Sequence, residues 1–192
     1  EATLFAARTN ETLVSMRHFD LAKDKVVMGI ERPGLTDENE RRITACHEAG
    51  HALVAKLIPG MDPVYKVTII PRGRALGLTQ LVPEGDLDYP RSYLLGKLAV
   101  NMGGRAAELL VFDETSTGAQ SDLKQSTDLA EKMVCQWGMS ERIGPVTFSR
   151  GEEHVFLGKR LAQEKTYSEE MGWIIDQEIE AIVRSAEERA CA

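Results

Sequence analysis

At 192 residues the chain can bury a core without staples, as one domain of good size or as one domain plus a fragment. Its formal net charge of -7 argues against a nucleic-acid surface. No apolar stretch approaches the roughly 18 residues of a membrane span, and Cys46, Cys135 and Cys191, without C-x-x-C spacing, point to reduced thiols rather than a thiolate zinc cluster. Residues 1–33 read as two helical pieces around a turn. Leu4 to Arg8 closes the first, near Asn10, and Ser15 caps the second, with Met16, Phe19, Ala22 and Val26 on one side. His18 stands alone and is read as a surface or packing residue. Arg32-Pro33-Gly34 breaks the chain before the next helix.

That helix carries His47-Glu48-Ala49-Gly50-His51, the stretch around which the rest is organised. Asp37 with Glu40 makes a capping pair, and Ile43, Cys46, Gly50, Leu53, Val54 and Leu57 recur at helical period. At about 100° per residue, His47 and His51 share one face at the border of that stripe, neither deep in a core nor in open solvent. Two neutral imidazoles there can share a Zn²⁺ ion and leave room for a third ligand and a water, whose proton Glu48 can take. The same spacing also fits two ordinary half-buried histidines. The remainder of the chain weighs toward the metal.

Tyr65–Ile70 and Leu76–Val82 read as strands joined by a turn at Arg72-Gly73-Arg74. They form either a purely structural hairpin or one whose free edge could pair with an extended substrate peptide. An acidic loop follows from Pro83 to Pro90, with Glu84, Asp86 and Asp88. A helix then carries Leu94, Leu98, Met102 and Leu109, with close packing expected at Gly103-Gly104. Glu108 on this helix is the first candidate for a third ligand. Asp122 is the second, in the first turns of a helix that Thr117 and Gln120 would cap and that carries Leu123, Ala130, Met133, Val134 and Trp137 up to Gly138. From Ile143 to Glu153 the chain looks irregular, and His154 has no evident partner. Ser168 caps a last helix with Met171, Ile174, Ile175, Ile179, Ile182 and Val183.

Five stretches in series, RITACHEAGHALVA, GGRAAELLVF, STGAQSDLKQSTDLA, QWGMSERIGPV and FLGKR with YSEE, resemble the peptidase domain of the FtsH family, the membrane-anchored AAA+ zinc metalloproteases. The likeness runs from Lys25 to Val183. It implies His47, His51 and Asp122 as zinc ligands, Glu48 as the base, and Glu108 as a carboxylate orienting a ligand histidine. Two departures, Cys46 where tyrosine is frequent and Leu109 where a second glutamate is common, do not touch that chemistry. The implied fold is mainly α with a small β-hairpin near the active site, a zincin-like HExxH metallopeptidase over residues 31–192, with residues 1–30 as the end of an AAA+ lid.

The resemblance further implies one Zn²⁺ per chain, unfolded polypeptide substrates, a homo-hexamer, and no nucleic-acid partner. A membrane anchor outside this segment would hold the whole protein at the cytoplasmic face of a bacterial inner membrane, or at an organellar membrane, while this segment itself is expected to be soluble. No G-x-x-x-x-G-K-[ST] loop is present, so ATP would act only through an AAA+ module outside this segment. Val54 and Leu57 exclude the H-E-x-x-H-x-x-G-x-x-H variant. Two rival readings stand beside this one: a zinc peptidase using Glu108 as ligand, and a non-catalytic helical assembly or adaptor domain.

Overall fold

Among the described residues, six α-helices and two short antiparallel strand pairs follow one another as α1 (Ala2–Arg8), α2 (Met16–Met28), α3 (Glu38–Leu57), β1 (Val64–Thr68), β2 (Leu78–Leu81), α4 (Arg91–Phe112), α5 (Gln120–Cys135), β3 (His154–Phe156), β4 (Lys159–Leu161) and α6 (Glu169–Cys191). This computed structural model describes residues 1–73, 75–83, 88–148 and 167–192, and the backbone of 154–156 and 159–161. Mainly helical with a hairpin beside the histidine helix, it has the expected fold class.

The Asp37 carboxylate starts α3 by accepting the Asn39 and Glu40 N–H groups at 2.8 and 2.9 Å, a cap worth about 1 kcal/mol. Helix α4 runs unbroken through Gly103-Gly104 and crosses α3 there. A Cβ on Gly50 would lie 2.3 Å from the Gly103 carbonyl oxygen, and one on Gly103 would lie 2.8 Å from the Gly50 oxygen. Only hydrogen side chains allow the two backbones this close. The helix-propensity cost of about 1 kcal/mol per glycine is thus offset by packing that no other residue permits.

Among the described residues, three apolar clusters join the helices. Leu94, Leu98 and Met102 of α4 meet Met133 of α5 and Ala186 of α6. Ala130, Val134 and Cys135 of α5 pack on Ile175 and Ile179 of α6, and Val54 and Ala55 of α3 pack on Ala99 and Val100 of α4. The half-buried Val64 and Leu81 extend this last cluster and seat the β1–β2 hairpin on α3. Val67 pairs with Thr79 and Thr68 with Leu78. Both strands are shorter than their apolar runs. The connection closes on itself instead, through reciprocal 3.0 Å backbone bonds between Arg72 and Ala75, with Gly73 at φ +55°.

Several details differ from the sequence reading. On α2, Met16, Phe19 and Val26 are exposed, while Ala22 of the same stripe is buried, as are His18, Asp24 and Met28. That inward side is held by polar ties: Asp24 pairs with Lys66, and the Arg72 guanidinium donates to the Gly29 carbonyl. On α3 the stripe is rotated, with Leu53 and Leu57 exposed and His47, Glu48 and His51 all buried at 8% exposure. The tight crossing at Gly50 turns the histidine side toward α4. The cap before α5 is Ser116 rather than Thr117: its hydroxyl accepts from the Gly118 N–H at 3.1 Å and starts a short 3-10 turn, Thr117–Ala119, that leads into the helix. The β3–β4 pair was not expected. Residues 149–153, read as irregular, and Glu84 and Asp86 of the acidic loop lie outside the described residues, as does the side chain of His154. Ser168 caps α6 as expected, accepting from the Met171 N–H at 3.2 Å. No described helix is long and apolar enough to cross a membrane.

Candidate metal centre

His47 and His51 project from one face of α3, their ring centroids 4.7 Å apart. Each ring is fixed by its Nδ1. The His47 Nδ1–H donates to Glu108 Oε1 at 2.7 Å, and the His51 Nδ1–H donates to the Val100 carbonyl oxygen at 2.7 Å. The His47 ring lies flat on α4 only because Gly104 is there; a Cβ at that position would come within 2.5 Å of the imidazole.

With both Nδ1 atoms committed as donors, neutral imidazoles turn bare Nε2 lone pairs inward. The two Nε2 atoms are 3.1 Å apart. Asp122 Oδ2, delivered by the first turn of α5, lies 3.2 Å from the His47 Nε2 and 3.6 Å from that of His51. Three electron-rich atoms therefore converge on one point, an arrangement that a positive charge relieves. The protonation behaviour agrees. Burial works against a proton on His47, yet Asp122 and then Glu108 outweigh it and raise the pKa. Burial likewise opposes ionisation of Asp122, but the two histidines hold its carboxyl down at about 2. Among the described residues, His47, His51 and Asp122 form a group whose ligand atoms all lie within 4.8 Å of one another. Two imidazole nitrogens and one carboxylate oxygen, with coordination left over, form a donor set that fits a catalytic zinc ion.

Glu108 is 2% exposed and uses both oxygens elsewhere. Besides His47, it takes the Ser116 hydroxyl at 3.0 Å on Oε1 and the Ser116 N–H at 2.6 Å on Oε2. It lies on the Nδ1 side of the His47 ring, away from the converging atoms, and it ties α3 to the loop that leads to Asp122. Glu48, one residue after the first histidine, is not one of the three converging donors and meets Thr79 of β2. Burial raises its pKa, and the Thr79 hydroxyl, donating to Oε2 at 2.7 Å, partly opposes that rise.

All five residues singled out in the sequence thus lie in one region, where α3, α4 and the start of α5 meet. Ser116, Thr79 and the Val100 carbonyl were missed. Ser116 heads the S-T-G-A run and could have been found as a cap. Thr79 and Val100 carry no local signal, because their partners are 31 and 49 positions away. Cys46 turns its thiol toward the Ala107 carbonyl at 3.6 Å, and burial, with Glu108 nearby, raises its pKa.

The profile of peptidase family M41 matches residues 34–192. Over 191 residues, 99% of this chain, the sequence is 60% identical to the ATP-dependent zinc metalloprotease FtsH of Syntrophotalea carbinolica. It is 62% identical over the same length to the protein of that name from Pelobacter propionicus. A third relative of the same name, from Photobacterium profundum, is 50% identical over 99% of this chain. The chain spans only 30%, 31% and 28% of these relatives' lengths. A profile match over most of the chain, together with the two histidines of the HExxH helix and the α5 aspartate that meets them, shows that the chain belongs to peptidase family M41.

Proposed function

We propose that this segment is the zinc-dependent endopeptidase module of an ATP-dependent protease acting on unfolded or unfolding polypeptides. The observation that carries the reading is the convergence of the His47 and His51 Nε2 atoms with Asp122 Oδ2. These three would hold one zinc ion, which when bound supplies Lewis acidity and makes water a usable nucleophile at neutral pH. Glu48 would take the proton from that water and later return it to the leaving amine. Glu108 would keep His47 in the tautomer and orientation that aim Nε2 inward.

Several observations support this assignment over its rivals. Both oxygens of Glu108 are spent on His47 and Ser116, which speaks against its serving as the third ligand. Three protein donors leave a coordination position open, as a catalytic metal needs and a structural one does not, which speaks against an adaptor domain. The hairpin stands beside Glu48, which favours an extended peptide laid along its edge as the form of substrate. Unfolded chains offer such strands, whereas folded ones do not.

The whole protein, on this reading, is a homo-hexamer tethered by a membrane anchor at the cytoplasmic face of a bacterial inner membrane or at an organellar membrane. An AAA+ module outside this segment would feed it. Residues 1–30, outside the matched profile, would be the end of that module's lid, and residues 31–192 the peptidase.

The test pairs casein with a stable globular protein, each with and without ATP, and adds a chelator control. Zinc-loaded protein is expected to cut casein slowly without ATP and to spare the folded protein. A folded domain stands about 5–15 kcal/mol below its unfolded state, so few molecules are open at a time. Casein cleavage that survives thorough chelation would remove zinc from the reading. ATP stimulation of this segment alone would contradict the division of labour.

A further inference from the structure

Strand β2 meets Glu48 at two of its oxygens. The Thr79 hydroxyl lies 2.7 Å from Glu48 Oε2 and 2.9 Å from the Glu48 carbonyl oxygen. Two residues earlier, Gly77 has no side chain where a Cβ would fall 2.7 Å from Glu48 Cγ and 2.8 Å from Oε1. The carboxylate is therefore walled in at Oε1 by the backbone of Gly77 and held at Oε2 by a hydroxyl donor. Thr79 is itself fixed, because its backbone pairs with Val67 in the β1–β2 ladder.

A glutamate side chain on a helix has several rotamers of similar energy, and a base in the wrong one is out of reach of its proton. We propose that Thr79 is a positioning residue that selects the working rotamer of Glu48. This rests on the reading of Glu48 as the base. One consequence is that the hairpin is more than a rail for substrate: a shift of β2 along α3 would move the hydroxyl and release the base.

The hydroxyl can be removed without changing shape. Thr79→Val is close to isosteric and keeps β-branching for the strand, whereas Thr79→Ser keeps the hydroxyl and loses only the methyl. Zinc-loaded Thr79→Val is expected to lose about 10- to 100-fold in kcat on an unstructured peptide, part of the 10²–10⁴-fold that a positioned base supplies. KM, zinc content and melting temperature should stay near wild type, and Thr79→Ser should recover to within about three-fold. A crystal structure of metal-free Thr79→Val should show the Glu48 carboxylate in a different rotamer, a readout independent of activity. Thr79→Ala replaces Thr79→Val in all arms where the latter does not fold.

Glu48→Gln, run in parallel, separates the two claims. An inactive Glu48→Gln beside a Thr79→Val of wild-type kcat would overturn the positioning role and leave the base reading intact. A Thr79→Ser as impaired as Thr79→Val would also overturn it, because the methyl or the strand would then be responsible. An active Glu48→Gln would overturn the base reading, and the role of Thr79 with it.

Discussion

Replacing Glu48 with glutamine is expected to cut peptide-bond cleavage by about 10²–10⁴-fold while leaving zinc bound at wild-type level. The substitution keeps the shape of the side chain and an oxygen that can still accept the Thr79 hydroxyl, so the β2 wall has no reason to move. What it removes is a group able to take a proton. Glu48 is not one of the three converging donors, and its loss should therefore not cost a ligand. Casein hydrolysis and zinc content, measured on the same preparation, check both halves. Near-normal proteolysis would take the base role from Glu48, and a variant that had lost its metal would make Glu48 part of the binding site.

The two remaining carboxylates should separate by kind of defect. Asp122→Ala deletes one of three converging donors and is expected to strip most of the zinc from the protein. Glu108→Ala leaves all three in place but frees the His47 ring and orphans the Ser116 N–H and hydroxyl. Loss of such a supporting carboxylate typically weakens metal affinity about 10–100-fold, so zinc should return as its concentration is raised. A zinc titration of both variants by competition with a chromogenic chelator reads this difference directly. Equal and irreversible loss in the two, or the larger loss in Glu108→Ala, would place the third ligand on α4.

Local patterns in the sequence carried the element types and the candidate residues well, because the forces that set them are local. Asp37 caps α3 and Ser168 caps α6 through N–H groups two or three residues away. The i, i+4 spacing of His47 and His51 can only put both rings on one side of a helix. Asp122 was legible as a first-turn aspartate and a candidate ligand, but its delivery to the histidines depends on a fold 75 positions wide, and only the family resemblance preferred it to Glu108. What failed was which face of a helix turns inward. Hydrophobic periodicity placed Leu53 and Leu57 on the packed side of α3, yet the Gly50–Gly103 contact rotates the helix and buries the histidines. On α2 the same logic put Met16, Phe19, Ala22 and Val26 together, yet only Ala22 of these is buried, and the inward side also carries Asp24, paired with Lys66 of the hairpin. A side-chain stripe shows that a face is apolar; the partner's shape and charge determine what it meets.

We propose His47, His51 and Asp122 together as the metal site. The most direct test is a crystal structure of the zinc-loaded protein with anomalous data collected on both sides of the zinc edge. One strong peak is expected, with His47 Nε2, His51 Nε2 and an Asp122 oxygen each about 2.0–2.2 Å away and Glu108 still on His47 Nδ1. A peak coordinated by Glu108 with Asp122 remote, or no zinc between the two histidines, would contradict the account.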